Sequence, residues 1–141
     1  MPILVDSNVI LDIVSRDPVW ETWSSSALEQ HAGSGLFVNA MIYAELCAPA
    51  KNTAEVDTLL ATLELGFSEL PREALFLASQ AHLAYRRRGG TRTSGLPDFF
   101  IGAHALALGI PILTRDIGRY ATYFPNVPLI CPQEPPKRSI E

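Results

Sequence analysis

The sequence predicts an α/β fold: one domain in three layers, α/β/α, with a central, mostly parallel sheet of about five strands. Three observations predict it. Short apolar runs alternate with amphipathic helical patterns along the whole chain. Acids stand in apolar motifs at Asp6, Glu45, Asp98 and Asp116, three of them where a strand run stops or a helix starts. That is where an open α/β sheet builds its site. Finally, 141 residues at 48% hydrophobic and 18% charged content suit a single globular domain, not a disordered chain.

The elements follow in order. Ile3-Leu4-Val5 reads as a buried parallel strand, and Asp6, Ser7 and Asn8 are all good helix caps. Val9, Ile10, Ile13 and Val14 then supply the apolar face of a first helix. Asp17-Pro18 ends it and starts a second helix, running to about His31 and stopped by Gly33-Ser34-Gly35. Leu36-Phe37-Val38 is the second strand, and Asn39 caps the helix AMIYAELC, which Pro49 interrupts. Thr53, Val56, Leu59, Leu60 and Leu63 outline a further helix, stopped by Gly66. Phe67 to Leu70 is a third strand, and Pro71 opens the helix REALFLASQAHLAYRRR. GGTRTSG reads as the most flexible internal stretch, before the apolar helix LPDFFIGAHALAL and its stop at Gly109. Ile112-Leu113 and Val127 to Ile130 complete the sheet. The domain spans residues 1–132, and residues 133–141 form a polar, Pro-rich tail expected to fray.

Bulk properties narrow the class. No apolar run reaches the ~20 residues needed to span a bilayer. The opening MPILVDSN lacks a basic segment and a signal-like apolar core, so a cytoplasmic protein is expected. Cys47 and Cys131 are far apart and lack metal-ligand spacing, so they are expected to be buried free thiols. His31, His82 and His104 are equally scattered. The net charge of −4 argues against nucleic acid at first sight. However, metal-holding acids inflate that count, and RRRGGTR gathers four of the eleven basic residues.

Taken singly, Asp6, Asp98 and Asp116 are satisfied as helix caps or first-turn acids. Glu45 is different. It lies about 40° from Met41 and about 60° from Ile42 around its helix, inside an apolar sector. A carboxylate there needs a partner, either a metal ion or an arginine. Clustered carboxylates need a cation to stay ionised, and Mg²⁺ or Mn²⁺ suits hard oxygen ligands. Such a metal activates water and neutralises a phosphoryl group. No Ser-His or Cys-His pair offers another nucleophile, so the acids together point to a nuclease.

These motifs carry a resemblance. DSNVILDI, IYAEL, LPDFFIGAHA and ILTRD, in this order and spacing, make the chain similar to PIN-domain ribonucleases, in particular the small VapC-type toxins of toxin–antitoxin pairs. The likeness runs from Pro2 to about Pro132. It implies a Mg²⁺- or Mn²⁺-dependent endoribonuclease that cuts structured RNA such as tRNA or rRNA. It also implies a homodimer and a VapB-type antitoxin whose C-terminal segment covers the site. Carried over by motif, Asp6, Asp98 and Asp116 are metal ligands, and Glu45 binds metal or orients the attacking water. Ser7, Asn8, Thr114 and Arg115 border the pocket and hold a metal-bound water or a phosphate. The chain departs from some members in having Phe99 and Phe100 after Asp98, with no further acid, so one ion is expected rather than two.

Arg86, Arg87 and Arg88 read either as a solvated helix end or as an RNA contact near Asp98; the RNA reading is preferred. Trp20 and Trp23 fit core packing or a partner surface equally well. Phosphotransfer domains of the receiver or haloacid-dehalogenase kind fit poorly. Asn8 occupies the second acid position of the latter, and the only lysines are Lys51 and Lys137. The alternative from another class is a catalytically inert PIN-like module that binds RNA or protein without cutting.

Overall fold

The structure is a computed structural model describing residues 1–90 and 95–133. Residues 91–94 of the Gly-rich stretch and 134–141 of the tail, with the expectations made for them, lie outside the described residues. Among the described residues the order is β1 (Ile3–Val5), α1 (Ser7–Val14), α2 (Glu21–His31), β2 (Leu36–Val38), α3 (Ala40–Cys47), α4 (Thr53–Thr62), β3 (Gly66–Phe67), α5 (Arg72–Arg87), α6 (Leu96–Leu108), β4 (Ile112–Leu113) and β5 (Leu129–Ile130). A short 3₁₀ turn, Ile117–Arg119, follows β4. No described helix is long and apolar enough to cross a membrane.

The strands form one parallel sheet in the order β3-β2-β1-β4-β5. The expected α/β/α architecture with five strands is therefore present. β1 is central, and its three residues are buried, as both-sided covering of a parallel sheet demands. From β1 the chain winds outward through β2 to β3, then returns past β1 to β4 and β5. With right-handed crossovers, this reversal sends the connections to opposite faces. It also opens a crevice between the C-terminal ends of β1 and β4.

Local chemistry sets the boundaries. Asn39 and Asn52 accept the N–H groups of Ile42 and Glu55 and so start α3 and α4. Asp17 accepts from Val19 and Trp20; this turn delays α2 to Glu21, beyond the expected start at Pro18. Gly109, at φ 65°, closes α6 in the left-handed conformation that glycine favours. The third strand is Gly66–Phe67 rather than Phe67 to Leu70, and the fifth is only Leu129–Ile130. In both places the chain leaves its neighbour after two pairings.

The core packs Leu4, Val5, Val38, Ile42, Ile101, Ile112 and Leu113 around the sheet. Phe99, Phe124 and Tyr120 extend it under the crevice. Cys47 and Cys131 carry free thiols as expected, but both are only partly buried. His104 is fully buried: its Nδ1 accepts from the amide of Asn39, 3.1 Å away, while its Nε2 has no partner among the described residues.

Candidate active site

β1 delivers Asp6 to the crevice, and the Asp6 N–H bonds the Leu113 carbonyl at 2.9 Å to join it to β4. The Asp6 side chain is fully buried, and both of its oxygens are fully engaged. Oδ1 accepts from the Ser7 N–H at 2.8 Å and from Arg119 at 2.6 Å. Oδ2 accepts from Thr114 Oγ1 at 2.9 Å, Tyr120 OH at 2.7 Å and Asn8 Nδ2 at 3.3 Å. Thr114 is a hub: it donates to Asp6 and accepts from Asn8 and from the Asp116 N–H. Asn8 Oδ1 in turn accepts the Arg115 N–H at 3.3 Å. Thus Ser7, Asn8 and Thr114 stand beside Asp6, and their hydrogen bonds go to Asp6, to Glu45 and to the loop after β4.

Glu45 arrives on α3 and Asp98 in the first turn of α6, behind Pro97. Glu45 Oε1 accepts from Ser7 Oγ at 2.9 Å. The sequence left its partner open between a metal and an arginine, and the structure supplies an arginine. Arg119 donates from Nη1 to Asp6, from Nη2 to Glu45 at 2.8 Å and from Nε to Asp98. Three carboxylates from three elements therefore meet one guanidinium, whose side chain is only 12% exposed.

Electrostatics follow from this burial. Desolvation raises the Asp98 pKa, with the neighbouring Arg119 pulling the other way. Burial alone would lower the Arg119 pKa, but the charges of Asp6, Asp98 and Glu45 drive it well above its ordinary value. The Tyr120 hydroxyl is raised well above 10.0 by burial and then by Asp6, so it stays protonated and donates.

Asp116 stands apart from this cluster. It is exposed and caps the 3₁₀ turn, accepting the Arg119 N–H at 3.2 Å. It shares with Asn8, Glu45, Asp98, Arg115 and Arg119 the lining of an open cleft of about 690 Å³. Arg115 also lines the cleft, yet its guanidinium is committed to Asp12 through bonds of 2.8 and 3.0 Å and lies 5.1 Å from the centre of the Trp20 ring. Trp20 packs edge-on against Trp23. Arg86, Arg87 and Arg88 are exposed at the end of α5. The α5 helix reaches the site through Tyr85, which lines a second hollow with Asp98 and Arg119.

Among the described residues no group of three or more acids, histidines or cysteines stands ready to hold a metal ion. In its place, each nitrogen of the Arg119 guanidinium takes an oxygen of Asp6, Glu45 or Asp98. The donor set itself fits a hard divalent cation: anionic oxygens converging on one positive centre, with hydroxyl and amide groups around them. Three carboxylates against one guanidinium also leave excess negative charge to attract it.

Sequence reasoning missed Arg119, Tyr120 and Asp12. Asp12 was findable, since it stands about 60° from Val9 on an apolar helix, by the same reasoning that singled out Glu45. Arg119 and Tyr120 carried no such signal; a short turn after β4 places them.

The profile of the family described as "PIN domain" matches residues 3–124. Comparison with curated proteins finds no match. Among solved structures, the fold is similar to VapBC2 from Rickettsia felis bound to a promoter DNA fragment, with a TM-score of 0.70 at 18% identity, covering 93% of this chain and 98% of that one. VapBC-1 from nontypeable Haemophilus influenzae gives 0.69 at 14% identity, over 93% and 98% of the chains. FitAcB from Neisseria gonorrhoeae gives 0.64 at 21% identity, over 91% and 96%.

Proposed function

The chain belongs to the PIN-domain family, and from that premise we propose that it is a divalent-metal-dependent endoribonuclease, the toxin of a VapBC-type toxin–antitoxin pair. The observation that carries this reading is the convergence of Asp6, Glu45 and Asp98 on a single cationic centre beside an open cleft. Asp6, Asp98 and Asp116 would hold Mg²⁺ or Mn²⁺. When bound, the ion would supply an activated water and neutralise charge developing on the phosphoryl group.

The chain's own residues do the rest. Thr114, Tyr120 and Asn8 fix the Asp6 carboxylate in one orientation. Ser7 fixes one oxygen of Glu45, and the other, which pairs with Arg119, would orient a water. Raised in pKa by burial, Asp98 holds its charge through a cation. The cleft admits a phosphodiester backbone, and Arg86, Arg87 and Arg88 meet flanking phosphates of a structured RNA such as tRNA or rRNA. A VapB-type antitoxin, homodimerisation and a cytoplasmic location belong to the same reading and rest on family resemblance and on the likeness in fold to VapBC structures.

A second reading, an inert PIN-like binding module, is favoured by one observation: Arg119 already satisfies the acids without a metal. One experiment separates the two. Purified protein free of antitoxin is incubated with total RNA and Mn²⁺ or Mg²⁺, with EDTA and Asp98→Asn as controls. Discrete fragments that vanish in both controls are expected. Intact RNA with either metal would leave the binding module.

A further inference from the structure

We propose that Arg119 is a built-in counter-cation: it occupies the metal position in the metal-free protein, so divalent-cation binding is an exchange in which the guanidinium leaves the carboxylates. The proposal deepens the nuclease reading and rests on it.

The geometry carries the argument. Asp6 Oδ1, Glu45 Oε2 and Asp98 Oδ1 each meet a different nitrogen of the one guanidinium. Asp6 is fully buried, and the side chains of Glu45 and Asp98 are 30% and 28% exposed. Three like-charged side chains converging on one point repel one another unless a cation stands between them. Arg119 thus preserves in advance the charged, converged state that a metal requires. A guanidinium and a divalent ion at the same point of convergence would repel each other and compete for the same three carboxylates.

The surroundings allow the guanidinium to leave without disturbing the backbone. The Arg119 N–H is held by Asp116, and the next residue, Tyr120, is fully buried and bonded to Asp6. The main chain is therefore fixed on both sides of the Arg119 Cα. Its long stem has free torsions, and the cleft of about 690 Å³ that Arg119 itself lines gives the head group room to turn. Arg115 has no such freedom, being forked onto Asp12. The two arginines beside the site are thus unlike: one is a clamp and the other a plug.

The test uses the full chain, freed of metal. Mn²⁺ affinity is read from the electron paramagnetic resonance of unbound Mn²⁺, for wild type, Arg119→Gln and Arg119→Lys. Arg119→Gln is expected to bind Mn²⁺ about tenfold or more tightly than wild type, because the resident competitor is gone. It should also melt at lower temperature without metal and gain more on Mn²⁺ addition. Arg119→Lys, which keeps a cation, should bind Mn²⁺ less tightly than Arg119→Gln. Equal or weaker Mn²⁺ binding by Arg119→Gln would overturn the exchange.

A wild-type measurement guards against a variant that does not fold. The ¹⁵N–¹H signal of the Arg119 Nε group, assigned by its loss in Arg119→Lys, should move to a solvent-like position as Mg²⁺ saturates the site. If the protein binds Mn²⁺ and cleaves RNA while that signal stays put, exchange is wrong and the nuclease stands. If neither wild type nor Arg119→Gln binds Mn²⁺, both readings fall together.

Discussion

At the level of single residues, Asp6 accepts from Ser7, Asn8, Thr114, Arg119 and Tyr120, so removing one donor changes both its energy and its aim. Thr114→Val keeps the shape but removes the donor to Asp6 and the acceptor for the Asp116 N–H. The expected cost is about 1–3 kcal/mol by urea unfolding, with RNA cleavage reduced more than RNA binding. A variant as stable and active as wild type would show that the hub is dispensable. His104 gives a pH test away from the site. Burial lowers its pKa from 6.5, so below that pH the unfolded chain takes the proton first. Stability from the neutral ring is present above pH 6.5 and declines as pH falls toward the folded value. The urea midpoint should therefore drop on acidification, and His104→Leu should flatten that slope; a parallel slope in the variant would assign the drop elsewhere. The acids of the site were legible because a carboxylate in an apolar motif is conspicuous. Arg119 was not, because an arginine in a polar turn is ordinary until Tyr120 is known to be buried beside it.

Between elements, the closest approach that matters to the site is α6 against the segment after β4. Gly102 lets the Phe124 ring lie so near that an added Cβ would stand 2.3 Å from it. Phe124 is 4% exposed and has little room to give way. Gly102→Ala is expected to destabilise by about 1–3 kcal/mol despite alanine's better helix propensity. An unchanged or higher melting temperature would mean that the ring relocates freely. The Phe124 N–H bonds the Tyr120 carbonyl, so the strain would also reach the residue that supports Asp6. The elements were readable in the sequence to the extent that their ends carry local chemistry. AMIYAELC and the helix closed by Gly109 are observed as expected, because Asn39 and Gly109 fix those ends. The edges of the sheet were misplaced, because β3 and β5 are two residues each. Their extent depends on pairing with neighbours, which no short run of residues encodes.

For the molecule as a whole, the proposed RNA partner would have to be met through local charge, because the net charge is −4; the exposed Arg86, Arg87 and Arg88 concentrate positive charge in one place. Replacing all three by alanine is expected to weaken RNA binding. It should also flatten the dependence of log affinity on log salt, by about 0.7 for each phosphate of a single strand that the arginines had neutralised. Unchanged affinity and slope would return this segment to an ordinary helix end. The strand order has a further consequence, for the protein's synthesis. The central strand is β1, near the start of the chain, yet its neighbour β4 and the partners Thr114, Arg119 and Tyr120 lie more than a hundred positions later, with separations of 108, 113 and 114. A ribosome therefore extrudes Asp6 with its neighbours Ser7 and Asn8 long before its three distant partners exist. No nascent fragment ending before Tyr120 carries a finished carboxylate cluster. For the proposed ribonuclease, topology alone would then delay cutting of the surrounding RNA until the chain is nearly complete.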